Sequence, residues 1–321
     1  MAILEVKNLN LGFQCEDIFR QALYDVNFAL HKGKMLSLVG ESGCGKTMSA
    51  MSILNLLPKT ARITSGEILY NGENLLLKNN KQMQKIRGGK IALIPQDPMT
   101  SLNPLYTVGD QLLEVIKIHQ NLQGHQAEQK AIEAFEAVQI PDAKSRLKNY
   151  PHEFSGGMKQ RAIIAMALAC KAEILIADEP TTALDVTIQA QIMKLLNEIK
   201  INNETSILLI THDLALVSEN ADEIAVMYSG RIVENAPNSE FFNNPQHPYS
   251  KALLKSLPSN RGNKLETIQG QPPSLSQKID GCNFHPRCNY CMEICTKEIP
   301  ELKNITPVHK SACFLNSNTN A

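Results

Sequence analysis

An excess of charge of either sign is missing. Lys plus Arg number 32 and so do Asp plus Glu, a formal net charge of zero, so nothing in the balance advertises nucleic acid or an anionic membrane surface as a partner. One basic stretch, Lys78 to Lys90 with Lys81, Lys85 and Arg87 and no acid, reads as a solvated helix face or loop. A long hydrophobic run is missing too. The greasiest region, Ala162–Ala177, is interrupted by Lys171 and Glu173, and it falls short of the roughly 20 apolar residues that cross a bilayer. Any membrane pore this protein serves must come from other chains. The opening residues, MAILEVKNLN, lack the apolar core and cleavage site of a secretory signal. The expectation is a protein made and kept in the cytosol, its eight cysteines outside disulfides. Internal repeats and low-complexity tracts are absent as well.

What is present suffices for one large α/β domain plus a smaller appendage: 321 residues, 43% of them hydrophobic. Alternation marks Ile3–Leu9 as a strand, with further strands expected at Asp25–Leu30, Met35–Val39, Ile68–Tyr70 and Ile91–Pro95. A helix is expected from Lys46 to Leu57, stopped by Pro58. From about Pro98 to Cys170 the spacing turns helical, as in Val108, Leu112, Val115 and Ile116, and again in Ala131, Ala134, Phe135 and Val138. Strands return at Ile174–Ala177, Ser206–Ile210 and Glu223–Met227, the first two separated by a helix with Ile188, Ile192, Leu195, Leu196 and Ile199 on one face. That alternation argues for a mostly parallel sheet covered on both sides. A boundary falls near Pro258, dividing a large domain (1–258) from a tail (259–321). The tail holds five of the eight cysteines and no long periodic element, so something other than a hydrophobic core is expected to hold it.

Two short strings carry most of the chemistry. The first is GESGCGKT, comprising Gly40, Glu41, Ser42, Gly43, Cys44, Gly45, Lys46 and Thr47. It fits the phosphate-binding loop in full and sits between a strand and a helix, as that loop requires. Glycines let backbone N–H groups turn inward around phosphate oxygens, and the helix N-terminus adds partial positive charge. Lys46 should reach the β- and γ-phosphates, and Thr47 should place its hydroxyl on Mg²⁺. Cys44 reads as a small residue facing its neighbours. The second string is FSGGMKQR at Phe154–Arg161, a phosphate cap.

Acids complete the set. Ile174–Ala177 ends in Asp178 and Glu179, placing one carboxylate where Mg²⁺ needs it and the next where a water could be polarised for in-line attack on a γ-phosphate. Gln96 and His212 each follow an apolar strand. Gln96 can touch Mg²⁺ or the lytic water, and His212 can hydrogen-bond the γ-phosphate. Each alone would pass for an ordinary loop residue; it is the order in which they fall along the chain that singles them out.

That order, phosphate loop, Gln, Ser-Gly-Gly, Asp-Glu, His, resembles the ATP-binding subunits of ABC transporters over roughly residues 1 to 260. The resemblance implies a RecA-like P-loop ATPase core with an α-helical subdomain (about 98–170) and a small Cys-rich C-terminal module. It implies that Ser155, Gly156 and Gly157 cap ATP held by an opposite subunit, and that Thr182–Asp185 carries signals between the two sites, Asp185 included. Phe13 falls where the family stacks an aromatic on adenine; a core Phe at a strand end is the other reading. One departure stands out: the family's usual Leu-Ser-Gly-Gly-Gln is here Phe154-Ser155-Gly156-Gly157-Met158, with the phosphate-contacting Ser and Gly positions kept.

Three further segments resemble the ATPases of dipeptide, oligopeptide and nickel importers: Pro95–Pro104 (PQDPMTSLNP), Gln246–Leu254 (QHPYSKALL) and Gly281–Cys288 (GCNFHPRC). The Asp97-Pro98-Met99-Thr100 form looks like the first of that group's two ATPase types. The expected activity is ATP hydrolysis driving uptake of di- or oligopeptides, with a nickel or glutathione importer as the alternative. The expected partners are two transmembrane permeases, a second ABC ATPase (a sister chain or an identical copy) and an extracytoplasmic solute-binding protein, with no nucleic acid. The expected place is the cytoplasmic face of the cell membrane. The rival is a soluble ABC protein acting on ribosomes or nucleic acid, but such chains often carry two ATPase halves or a long coiled-coil insert, and this one has neither.

The tail reads Cys282-x5-Cys288-x2-Cys291-x3-Cys295-x17-Cys313. Thiolates in fours suit Zn²⁺ or an iron–sulfur cluster, and the spacing does not separate them; buried small hydrophobes are the plain alternative. The importer resemblance implies a [4Fe–4S] cluster through Cys282, Cys288, Cys295 and Cys313, with Cys291 surplus.

Overall fold

The computed structural model describes residues 1–16, 18–182, 184–257, 268–275, 277 and 279–316. The expected boundary at Pro258 and Ala183 of the Thr182–Asp185 loop lie outside the described residues. The chain divides into two compact units, Met1–Leu77 with Thr211–Ala321, and Lys78–Ile210.

The first unit opens on two long strands, β1 (Ala2–Cys15) and β2 (Ile18–His31), followed by β3 (Met35–Val39), helix α1 (Lys46–Ile53), β4 (Ala61–Tyr70) and β5 (Glu73–Asn74). Strands β2, β1, β4 and β5 form an antiparallel sheet in that order. Leu4, Val6, Leu9 and Leu11 are buried along β1. Its register shifts between Val6 and Leu9 and again between Leu9 and Leu11. These bulges explain why the strand is longer than the expected Ile3–Leu9: each one resets the alternation that a sequence pattern relies on, while the ladder continues. Helix α1 ends four residues before the expected Leu57, and Asn55 turns into the left-handed region at φ 50°.

The second unit carries helix α2 (Asn80–Ile86), β6 (Ile91–Ile94), α3 (Pro98–Ser101), α4 (Val108–Gln120), α5 (Gly124–Ala137), α6 (Ala143–Arg146), α7 (Gly156–Ala169), β7 (Ile174–Asp178), α8 (Val186–Asn203) and β8 (Ser206–Thr211). Strand β7 pairs in parallel with β6 on one side and β8 on the other. Its five residues are all buried, the apolar run Ile174–Ala177 as parallel neighbours on both sides demand, with Asp178 at its end. Val108, Leu112 and Ile116 of α4 and Ala131 and Phe135 of α5 are fully buried. The Phe135 ring meets Phe154 edge-on at 6.4 Å, which anchors the turn just ahead of Ser155.

The chain then returns to the first unit with α9 (Leu214–Asn220), β9 (Glu223–Tyr228), β10 (Arg231–Pro237), α10 (Asn238–Asn243), α11 (Pro248–Lys255), β11 (Lys303–Thr306) and β12 (His309–Ser311). Strand β9 runs parallel to β3, but β9–β10, β10–β12 and β12–β11 are antiparallel. The sheet of this unit is therefore mixed rather than mostly parallel. The difference arises in β10 to β12: β9–β10 turns over Ser229-Gly230 and β11–β12 over Pro307-Val308, two hairpins that make their pairings antiparallel, and β12 then pairs with β10.

Glu234 ties this edge together. It lies on β10, fully buried, and accepts hydrogen bonds from the backbone N–H of Gln246 (2.7 Å) and of His247 (2.8 Å), with the ring Nε2 of His309 on β12 at 2.7 Å. His247 Nδ1 in turn accepts from the Tyr249 N–H at 3.0 Å, capping α11. The tail also joins a hydrophobic core, contrary to expectation. Phe284, 3% exposed, packs with Tyr228 and Tyr249 at ring separations of 5.2 and 5.3 Å. The tail supplies few apolar residues, and they pack on aromatic rings contributed by β9 and α11. A local pattern does not show a core assembled in this way. Among the described residues no helix is long and apolar enough to cross a membrane.

Candidate functional site

Strand β3 delivers its five buried residues directly into the glycine loop. Gly40 has φ 154°, and a Cβ there would lie 2.2 Å from the Met227 carbonyl oxygen, so only glycine lets the chain turn against β9. Gly45 caps α1 in the left-handed region at φ 108°. Lys46 is buried and curls back over the loop, its Nζ donating to the Gly40 carbonyl at 2.7 Å and the Glu41 carbonyl at 3.0 Å. A buried ammonium needs such acceptors, and phosphate oxygens can replace them. Thr47 stands half-buried in the first turn of α1, while Ser42 and Gly43 are exposed. Burial pushes the Cys44 thiol up, the neighbouring Lys46 opposing it, which favours the protonated thiol.

Phe13 and His212 belong to the same unit as this loop. Phe13 is half-buried on β1, opposite Arg20 of β2 and Ala61 of β4. His212 follows β8 directly and is exposed.

The remaining candidates lie in the other unit. Asp178 ends β7 and is 1% exposed. Glu179 follows in the left-handed region at φ 45°, its N–H bound to the Ile210 carbonyl at 2.9 Å. A non-glycine residue held there carries about 1–3 kcal/mol of strain, a feature that clusters at functional sites. The Glu179 carboxylate accepts from the side-chain amide of Gln96 at 3.0 Å and from the Thr182 hydroxyl at 2.9 Å. The structure thus brings Gln96, far from Glu179 in sequence, and Thr182 together on one oxygen of the Glu179 carboxylate. Asp97 beside them caps α3, accepting from the Met99 N–H at 2.8 Å and the Thr100 hydroxyl at 2.9 Å. Those bonds hold its carboxyl below the usual range.

Ser155 is exposed and caps α7, its hydroxyl accepting from the Met158 N–H at 3.3 Å. Gly156 has open space where a Cβ would stand, and Gly157 meets only Ile188, at 3.4 Å. A 14-residue helix thereby presents its N-terminus, free of side-chain bulk, to solvent. Asp185 is exposed and caps α8, accepting from the Ile188 N–H at 2.9 Å.

Within the second unit Asp178 and Gln96 offer hard oxygen donors with a single carboxylate between them, and in the first unit Thr47 offers a hydroxyl oxygen. That set fits Mg²⁺, which takes one or two carboxylates and completes its shell with phosphates and water. The cysteine tail is different. Burial, with smaller contributions from the Cys295, Cys313 and Cys288 thiols, pushes the Cys282 thiol up to about 11, so the four lie within electrostatic reach of one another. Yet among the described residues no group of three or more His, Cys, Asp or Glu side chains is arranged to hold a metal ion. The expectation of an iron–sulfur cluster or Zn²⁺ through Cys282, Cys288, Cys295 and Cys313 therefore finds no ready-made site. Cys282 and Cys288 instead pack as small apolar side chains against the Phe284 core, and Cys291 is exposed.

Sequence reasoning missed Arg287 and Tyr249. Arg287 grips the Glu41 carboxylate with both terminal nitrogens, at 2.6 and 2.9 Å. The Tyr249 hydroxyl accepts from the Glu41 N–H at 3.0 Å. Both residues stood inside segments singled out by motif, but the glycine loop they touch lies more than two hundred residues away, and no periodicity links them.

A family model described as ABC transporter matches residues 23–182, and one described as the C-terminal region of oligopeptide/dipeptide transporters matches residues 233–295. A probable peptide ABC transporter ATP-binding protein, y4tR of Sinorhizobium fredii, is 49% identical, covering 97% of this chain and 94% of its own length. The oligopeptide transport ATP-binding protein OppD of Escherichia coli is 46% identical over 98% of this chain and 93% of its own. The dipeptide transport ATP-binding protein DppD of Bacillus subtilis is 46% identical over 98% and 94%. Among solved structures, the dimeric post-hydrolysis state of the ATP-binding cassette MJ0796, bound to ADP and Pi, superposes with a TM-score of 0.66 at 25% identity, covering 73% of this chain and 98% of that one.

Proposed function

Because the chain belongs to the family of ABC transporter ATP-binding proteins, we propose that it is the ATP-hydrolysing subunit of an importer of di- and oligopeptides. The observation that carries this reading is the reach of the likeness: peptide-transport ATP-binding proteins align over 97–98% of the chain, tail included. An ATPase core alone would leave the tail unmatched.

In this reading the loop Gly40–Thr47 wraps the β- and γ-phosphates, and Lys46 exchanges its two loop carbonyls for phosphate oxygens. Thr47, Asp178 and Gln96 would hold Mg²⁺, which neutralises phosphate charge. Glu179 orients and deprotonates the attacking water, with Gln96 and Thr182 fixing its carboxylate, and His212 bonds the γ-phosphate. Phe13 carries the adenine. Ser155, Gly156 and Gly157 offer an open helix N-terminus to the ATP of a second ATPase subunit, and Asp185 lies in the loop that links the two sites. Residues 1–258 act as the ATPase domain, their helical part spanning about 98–170, and 259–321 form the appended module. Two permeases complete the transporter, with a solute-binding protein on the far side of the membrane and this chain peripheral on the cytoplasmic face.

The test is affinity purification from detergent-solubilised membranes, using Glu179→Gln to trap the ATP-closed form. Recovery of two permeases and an ATPase partner supports the importer. Ribosomes, nucleic acid or no membrane protein at all would move the chain to the soluble class.

The tail's metal is a separate proposal, resting on thiol proximity alone: Cys282, Cys288, Cys295 and Cys313 close around a [4Fe–4S] cluster when one is supplied, as metal binding and local folding are coupled. Iron and acid-labile sulfide should accompany anaerobically prepared protein. One zinc per chain in their place would change the metal, and the absence of both would leave the thiols as packing groups.

A further inference from the structure

All the polar groups of Glu41 are engaged within the first unit. Its carbonyl takes the Lys46 ammonium, its N–H goes to the Tyr249 hydroxyl, and its carboxylate lies in the fork of Arg287. Lys46 and the loop are local to one another, but the other two holds come from the C-terminal half of the chain.

Both of those holds are rigid. The Arg287 side chain is 5% exposed. Its guanidinium also donates to the carbonyls of Gln269 (3.0 Å) and Gly270 (3.3 Å) and to the Tyr228 hydroxyl (3.3 Å). It sits on a short turn, His285–Arg287, fixed by bonds from the His285 N–H to the Cys282 carbonyl and from the Arg287 N–H to the Phe284 carbonyl. Tyr249 is fully buried and packs edge-on against Tyr228, with ring centroids 4.7 Å apart. Phe284 touches both rings. The two groups that hold Glu41 thus share one aromatic platform.

We propose that Arg287 and Tyr249 are positioning residues for nucleotide binding, holding the phosphate loop in shape at Glu41 while Lys46 turns from the loop carbonyls to a nucleoside triphosphate. The physical need is specific. When Lys46 leaves, the Gly40 carbonyl loses the ammonium and the Glu41 carbonyl keeps only the Cys44 N–H at 3.4 Å, and the glycine-rich loop has little side-chain packing of its own to resist rearrangement. A bidentate Arg–carboxylate pair fixes both position and orientation, and at Glu41 it acts from behind the loop. The C-terminal region thereby sets the affinity of the nucleotide site within its own subunit. This inference rests on the reading of Gly40–Thr47 as the ATP loop.

The test is titration of the purified full-length protein with a fluorescent ATP analogue, alongside steady-state hydrolysis and thermal unfolding. Arg287→Ala should weaken nucleotide binding about tenfold, the scale of losing one strong charge-assisted contact, with kcat at saturating ATP changed less than about twofold. Glu41→Gln should weaken nucleotide binding by a similar factor, and the double variant should bind no worse than the weaker single, because both remove one interaction. Arg287→Lys should recover part of the loss. Should Arg287→Ala fail to fold, Arg287→Lys and Tyr249→Phe carry the test, each weakening binding without lowering kcat. Nucleotide affinity unchanged in these variants, or fully additive effects in the double, would overturn the proposal while leaving the ATPase reading intact. Failure of the unaltered protein to bind ATP would overturn both.

Discussion

Glu179→Gln should lower ATP hydrolysis about 100- to 10,000-fold, the usual worth of a positioned general base, while ATP binding survives. The substitution preserves shape and still offers one oxygen to Gln96 Nε2 and the Thr182 hydroxyl, which now meet the carboxylate at 3.0 and 2.9 Å. What disappears is the ability to take a proton from water. The backbone is consistent with this role, since Glu179 is held at φ 45° by its N–H bond to the Ile210 carbonyl, the strained kind of conformation that clusters at functional sites. Phosphate release and equilibrium nucleotide titration separate the two steps. Hydrolysis within tenfold of the unaltered protein would remove Glu179 from the base role. Loss of ATP binding would show that it shapes the site instead.

Glu234→Ala should destabilise the fold by about 3–5 kcal/mol, the range for removing one partner of a buried charged network. Burial pushes the Glu234 carboxyl up, but hydrogen bonds led by His309 and including the Gln246 and His247 N–H groups outweigh it and bring it below the usual range, so it is ionised. Without it, two backbone N–H groups and the His309 ring lose a buried partner, and the links from β10 to α11 and β12 go together. The same hub dictates the acid response. A carboxyl held below its unfolded value contributes stability at higher pH and loses it as pH falls through the folded value. His247 is buried and pushed down to about 4 from 6.5 by that burial, so the unfolded chain takes up a proton there that the folded chain refuses. Both act in one direction: stability is full above pH 6.5 and declines steadily as pH drops toward 4. Urea unfolding across that window should show the decline. An unchanged midpoint in Glu234→Ala would mean that β12 and α11 are held by their packing alone.

Much of the site was legible because its residues sit at strand ends. Met35–Val39, Ile174–Ala177 and Ser206–Ile210 appear where their apolar runs put them, extended by a residue at most. The residues just beyond, Gly40, Asp178 and His212, are therefore located by the strands themselves. That Ser155 and Asp185 cap helices α7 and α8 came only from the structure. The long strands β1, β2 and β4 were under-read, since bulges interrupt the two-residue period. Strands β10, β11 and β12 went unread although two of their pairings are hairpins, β9–β10 over Ser229-Gly230 and β11–β12 over Pro307-Val308; only the β10–β12 pairing depends on a distant partner.

The amino-acid order alone determined the glycine loop, the acid pair and the Ser-Gly-Gly cap, because each needs only a strand or a helix terminus for its geometry. Tertiary structure alone decided that Gln96 meets Glu179, that Glu234 gathers α11 and β12, and that Arg287 and Tyr249 reach Glu41 across more than two hundred residues. These are contacts between side chains or single backbone groups on separate elements. Local spacing sets only which way a residue faces along its own strand or helix; what stands opposite is chosen by how the elements pack.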